Sequence, residues 1–183
     1  MLLENDNIKL RALEPEDLDQ LYDWENDTEL WKIGSSIAPF SRYAIKQYIS
    51  RFDEDIFQTH QQRFIVELKS TKQSIGTIDL YDFDPFHKRA GVGILVDHKF
   101  QCKGFGTQIL HLLEEYAFKF LKINQLYAII PIQNKASIKL FTKCNYQQTG
   151  VLKQWLSAEI DFEDAIFMQY INKEDARRCK KSM

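Results

Sequence analysis

Val92-Gly93-Ile94-Leu95-Val96, then Asp97-His98-Lys99-Phe100, then Gln101-Cys102-Lys103-Gly104-Phe105-Gly106-Thr107 and an apolar-periodic run to Leu121 form the stretch that decides how this chain folds. The first piece is short, β-branched and bounded by Gly91 and Asp97, which predicts a buried strand. In the last piece Ile109, Leu112, Leu113, Tyr116, Ala117, Phe120 and Leu121 recur at helical spacing, so one face enters a core. Glu115 and Lys119 make an i,i+4 pair on the other face. Strand, glycine turn, helix is an arrangement that aims free backbone N–H groups and the positive end of a helix dipole at an anion. Gly104 and Gly106 can adopt positive φ without penalty, and with no side chain they let a phosphate approach the main chain. Lys103 adds charge, and Thr107 is a candidate helix cap. The loop lacks the third glycine of the dinucleotide fingerprint, since Ile109 stands there, and no G-x-x-x-x-G-K-[ST] is present.

At 183 residues, one domain is the default, here residues 1–172 with a polar, basic tail at 173–183. A net charge of −2 gives no general pull toward nucleic acid or anionic membrane. No apolar run approaches a membrane span, and Met1-Leu2-Leu3-Glu4 is not a signal peptide. Cys102, Cys144 and Cys179 form no C-x-x-C or zinc pattern, and the four histidines lack H-E-x-x-H spacing. The expectation is a reducing cytoplasm and no metal.

Around the central stretch the order reads β, α, α, β-β-β, α, β, α, β-β, a mixed α/β domain. Ile8-Lys9-Leu10-Arg11 is the first strand. Pro15 opens a helix carrying Leu18, Leu21, Tyr22 and Trp24, and Ser41 caps a second one. Residues 53–62 are polar and predict a loop. Phe64–Leu68 and Ser74–Tyr81 make a hairpin, with a loop at 82–88. Leu126–Ile130, ended by Pro131, predicts a parallel strand buried on both faces, and a strand–helix–strand unit of this length implies a right-handed crossover. Asn134 is placed to cap a helix from Lys135 to Lys143.

Two motifs resemble a known superfamily. Gln101-x-x-Gly104-x-Gly106 is similar to the pyrophosphate loop of the GNAT N-acetyltransferases. Asn134-Lys135-Ala136-Ser137-Ile138-Lys139-Leu140-Phe141, with Lys143-Cys144-Asn145-Tyr146, resembles that superfamily's second motif. The resemblance spans Ile8 to Phe167 and is closest to the ribosomal-protein-alanine and spermidine acetyltransferase branch. It implies an acyl-CoA N-acyltransferase fold whose two central parallel strands splay apart, with the cofactor arm pairing main chain at Leu95 and Val96. It implies acetyl-CoA as co-substrate, with Gln101, Cys102, Lys103, Gly104, Phe105, Gly106, Thr107, Asn134 and Lys143 on the cofactor. The acceptor is then a primary amine, on a polyamine-like small molecule or a protein N-terminus, and a homo-oligomer is possible.

The proton-transfer groups depart from the superfamily pattern. Phe141 stands where many members carry a tyrosine near the sulfur, and Gly91 stands where the polyamine branch has a glutamate. Tyr146 reads as core. Ser137 and Asp79 remain as catalytic candidates. Eight acids and no Lys or Arg lie between Glu14 and Glu29. They read as a solvated face or as a negative rim for a cationic amine, with Asp27, Glu29 and Trp31 on the substrate side. Two other readings compete: a CoA-binding module without turnover, kept open by Phe141, and a nucleotide-phosphate binder, which would not need the motif at Asn134.

Overall fold

Period-2 alternation makes the strands and the 3.6 period makes the helices, in this chain order: β1 (Ile8–Arg11), α1 (Leu18–Glu25), α2 (Thr28–Trp31), α3 (Arg42–Ser50), α4 (Ile56–Thr59), β2 (Gln62–Leu68), β3 (Ser74–Asp84), β4 (Arg89–Val96), α5 (Phe105–Glu115), β5 (Gln125–Pro131), α6 (Lys135–Lys143), β6 (Gln147–Ser157) and β7 (Phe162–Ile171). The computed structural model describes residues 2–31, 38–50, 55–157 and 161–172. The expected basic tail, with Cys179, lies outside the described residues.

The strands form one sheet of seven, in the order β1-β2-β3-β4-β5-β7-β6. β1 through β4 pair antiparallel, as the hairpin reading requires. β4 and β5 are parallel but pair only at Arg89, Ala90 and Gly91, opposite Gln125, Leu126 and Tyr127. Beyond Gly91 they part, so β4 from Val92 to Val96 has β3 as its neighbour on one side and an opening on the other. This is the splay that the resemblance implies.

The two sheet faces bury different clusters. One is the main core, with Ile8, Leu10, Phe64, Val66, Ile78, Leu80, Ala90 and Val92 from the strands against Ile109, Leu110, Leu113 and Phe141 from α5 and α6. The opposite face is covered by Leu21, Trp24, Leu30 and Ile45 of α1 to α3, packed with Ile65 and Leu95. Even-numbered residues of β2, β4 and the middle of β3 face α5, and odd-numbered ones face α1 to α3; register shifts at the two ends of β3 turn Ile75 and Phe83 to the α5 side as well. A buried pair ties the second layer down: Arg11 holds Asp17 through two hydrogen bonds of 2.7 and 2.8 Å. Burial alone would raise the Asp17 carboxyl. Arg11 and the Glu14 amide more than offset this and hold it below the usual range.

Several expectations need correction. The polar stretch 53–62 contains α4, because the Asp55 carboxylate accepts from the Phe57 and Gln58 amides at 2.8 and 3.1 Å and Ile56 is buried. β3 runs on to Asp84 through an irregular register after Tyr81, with Asp82 at φ 48°. β5 is not buried on both faces: Leu126, Ala128 and Ile130 are, while Tyr127 and Ile129 are only half-buried. Tyr127 on its odd face packs against Tyr81 of β3, and its other edge pairs antiparallel with β7. α5 continues as one wider turn from Tyr116 to Phe120, where the Leu121 amide bonds the Tyr116 carbonyl at 3.1 Å. The Glu115–Lys119 pair forms as expected.

Candidate functional site

The C-terminal ends of β4 and β5, the turn after β4 and the start of α6 converge at the mouth of the splay. Asp97 starts the turn, its carboxylate accepting from the Lys99 amide at 2.9 Å and from the Trp24 indole at 3.1 Å. The Gln101 amide donates to the Val96 carbonyl at 2.9 Å and so folds the loop back on β4. Cys102 then takes φ 59° and Gly104 φ 81°, and α5 begins. Gly104 is the N-cap residue and no side chain caps the helix, which leaves first-turn N–H groups for an outside acceptor. A Cβ on Gly104 would meet no atom within 4 Å, so the space above it is open. Residues 101–104 are all exposed, and the Lys103 ammonium rides over the Phe100 ring at 5.2 Å.

Two details differ from expectation. Gly106 does not take positive φ; it is helical, and a Cβ there would sit 3.0 Å from the Leu140 side chain. Its missing side chain lets α5 and α6 close together, which is a packing role. Thr107 lies inside the first turn rather than at the cap, half-buried.

On the face covered by α1 to α3, the register brings Arg63 opposite Asp79 and Asp79 opposite Gly93. Arg63 grips Asp79 with Nε at 2.5 Å and Nη2 at 3.1 Å, and reaches Glu25 at 2.7 Å. The guanidinium also lies 5.2 Å from the Tyr48 ring centroid. Burial pushes the Asp79 carboxyl above its ordinary value, against the pull of Arg63. Next along, the Tyr81 ring covers Gly91: a Cβ there would be 2.3 Å from it. Tyr81 meets Tyr127 edge-on at 5.9 Å, and Tyr127 stacks on Phe167 at 5.3 Å. The lost glutamate at position 91 thus has a steric reason, since an aromatic side chain from β3 takes its volume. Arg63, Glu25, Tyr81 and Tyr127 did not emerge from sequence motifs. The cross-strand spacing of Arg63 and Asp79 was the available signal.

At α6, Asn134 caps as expected, its side chain accepting from the Ser137 amide at 3.0 Å. Ser137 is half-buried in the first turn, and Lys143 is exposed in the last. Phe141 is buried, edge-on to Tyr146 at 4.9 Å, and Tyr146 is core as read. Leu95 and Val96 are half-buried on the free stretch of β4.

The acidic run is neither a bare face nor a free rim. Asp17 pairs with Arg11, Asp19 with Arg42, Glu25 with Arg63, and Asp27 lies 3.3 Å from His98. The basic partners come from other elements, so a window without Lys or Arg did not mean unpaired acids. Asp27 starts α2, accepting from the Glu29 amide at 2.9 Å. The Trp31 indole donates to the Glu25 carbonyl at 2.6 Å and is half-buried. Glu29 is exposed.

Residues 7–147 match the model of the acetyltransferase (GNAT) domain family. Spermidine N(1)-acetyltransferase of Escherichia coli K12 is 26% identical over 162 residues, covering 88% of this chain and 84% of the relative. An uncharacterized N-acetyltransferase, p20 of Bacillus licheniformis, is 27% identical over 175 residues, covering 95% and 98%. Among solved structures, spermidine N-acetyltransferase from Vibrio cholerae in complex with CoA and spermine shares the fold with a TM-score of 0.84 at 22% identity, over 92% of this chain and 98% of that one. The chain belongs to the acetyltransferase (GNAT) domain family and is an N-acetyltransferase that takes its acetyl group from acetyl-CoA.

Proposed function

We propose that the acetylated amine belongs to a small polycation of the spermidine or spermine kind. The observation that carries this is the gathering of carboxylates where β4 and β5 part. Glu25 and Asp79 both meet the guanidinium of Arg63 there. Exposed Asp23 and Glu29 stand on the same pair of helices, α1 and α2. Relatives named for spermidine acetylation support the same class. A protein N-terminal amine is the second reading, favoured by one feature: Tyr81 covers Gly91, where the polyamine branch would carry a carboxylate.

Acetyl-CoA supplies an already activated thioester, so the protein's work is holding, orienting and moving protons. The loop fits a pyrophosphate, having an uncapped helix start and an open space over Gly104. In this reading the amides from Gln101 through Cys102, Lys103, Phe105 and Gly106 to Thr107 take the phosphates. Asn134 and Lys143 assist from α6, and the main chain at Leu95 and Val96 aligns the arm. Amides of the free part of β4 support the oxyanion. Asp79 accepts the ammonium proton, directly or through water, and its upward-shifted carboxyl suits that task. Ser137 returns a proton to the leaving thiolate. Ser137→Ala should then lower kcat by roughly 10²–10⁴-fold with little change in KM for acetyl-CoA. A loss under about threefold would leave Ser137 as a helix residue.

Thiol release from acetyl-CoA, followed with spermidine, spermine and a neutral N-terminal peptide, tests the acceptor. For polyamines kcat/KM should fall as salt rises, since screening sets in over about 10 Å at 0.1 M, while the peptide response stays flatter. Glu29→Gln should raise KM for spermidine. Asp27→Asn is a poorer probe, because Asp27 also starts α2. Acetylation of peptides but not polyamines would transfer the assignment to the second reading.

We also propose a single domain over 1–172, a cytoplasmic setting and self-association. The single sheet and the free thiols of Cys102 and Cys144 support the first two. For the third, Val151, Trp155 and Phe162 are exposed on the outer hairpin, and the Vibrio cholerae relative has a dodecameric structure. Light scattering should give a mass well above the 21.6 kDa chain, and a monomer at assay concentrations would remove self-association.

A further inference from the structure

His111 and Glu114 stand three residues apart on α5, and the chain leaving α6 brings Cys144 to them. One ligand atom from each lies within 4.8 Å of the others. His111 Nδ1 is 3.0 Å from Glu114 Oε2. Cys144 has no exposed surface and Glu114 is 7% exposed. Glu114 Oε1 is buried without a hydrogen-bond partner, and so is the neighbouring Tyr146 hydroxyl. A buried carboxylate oxygen without a partner is costly. A cation in contact with it would remove that cost.

We propose that His111, Glu114 and Cys144 form a zinc site that staples α5 to the end of α6. The donor set is one imidazole, one carboxylate and one thiolate. That combination suits zinc and disfavours magnesium or calcium, which take oxygen ligands. Tetrahedral zinc with bonds of about 2.0–2.3 Å holds its ligand atoms roughly 3.3–3.8 Å apart. The three ligand atoms, all within 4.8 Å of one another, are to be drawn to these distances by the ion. Thiolate and carboxylate together neutralise the ion in a buried place. Water, or the second Glu114 oxygen, completes the shell. His111 lies seven residues beyond Gly104, roughly 10 Å along the helix, so the ion stays away from the phosphate loop. Its effect is to fix the two helices that already close together at Gly106 and Leu140.

The test uses the full chain, stripped with a chelator and desalted. Zinc is titrated in competition with a chromophoric chelator, and cobalt serves as a spectroscopic probe. One equivalent should bind, cobalt should show a thiolate-to-metal charge-transfer band, and zinc should raise Tm. Cys144→Ser should abolish the band. His111→Ala changes an exposed side chain, so circular dichroism should stay native while zinc affinity falls by roughly tenfold or more. Absence of a bound equivalent, a cobalt spectrum without a thiolate band, or affinity unchanged in both variants overturns the proposal.

Discussion

Gly104→Val is expected to remove CoA binding while the protein stays folded. The residue sits at φ 81° with open space above its Cα. A β-branched side chain resists that conformation, at about 1–3 kcal/mol, and projects into the space a phosphate would need. Losing two charge-assisted N–H contacts, each worth about 1.5–3 kcal/mol, amounts to roughly 100-fold or more in affinity. Calorimetry with CoA reads the loss, and a melt reads the modest drop in stability. Gly106→Val is the contrast. Its side chain meets Leu140, so the first casualty should be α5–α6 packing and Tm. Unchanged CoA affinity in Gly104→Val would remove the phosphate loop from the proposed site.

Arg63→Met is expected to be the most destabilising single change on the proposed acceptor face. It leaves Glu25 and Asp79 facing each other without their shared guanidinium. Breaking a buried ion pair from one side typically costs about 3–5 kcal/mol. The deficit should depend on pH in a definite sense. Burial already pushes the Asp79 carboxyl upward, and without Arg63 nothing opposes that. A carboxyl raised on folding contributes fully below its unfolded value, and this is lost as pH rises through its folded value. Arg63→Met should therefore lose least in acid and most at neutral pH. Adding Glu25→Gln and Asp79→Asn should restore much of the stability, since removing a whole buried cluster is often close to neutral. A denaturation midpoint within error of the parent at neutral pH would show the cluster to be solvated and unimportant.

The glycine turn between β4 and α5 was legible because its determinants are local. A strand of β-branched residues, a glycine with no side chain and a periodic helix follow one another within thirty residues. Each expresses a short-range preference. The cluster of Arg63, Asp79 and Glu25 was not legible in the same way. Arg63 and Asp79 are sixteen residues apart in a hairpin, and Glu25 joins them across thirty-eight. The acidic run misled for the same reason, because Arg11, Arg42 and Arg63 all lie outside the window in which the acids were read.

By itself the sequence determined the order of the strands and of the longer helices, the two motifs, the superfamily and the use of an acyl-CoA. Those rest on patterns that neighbouring residues carry alone. Only the tertiary structure decided that Gly104 and Gly106 do different jobs, one through its φ and one through the distance between two helices. Only it turned a missing glutamate at Gly91 into a seat for Tyr81, and brought Cys144 onto the His111–Glu114 pair. Such outcomes depend on sheet register and helix packing. These fix contacts between residues whose separation along the chain carries no information about their separation in space.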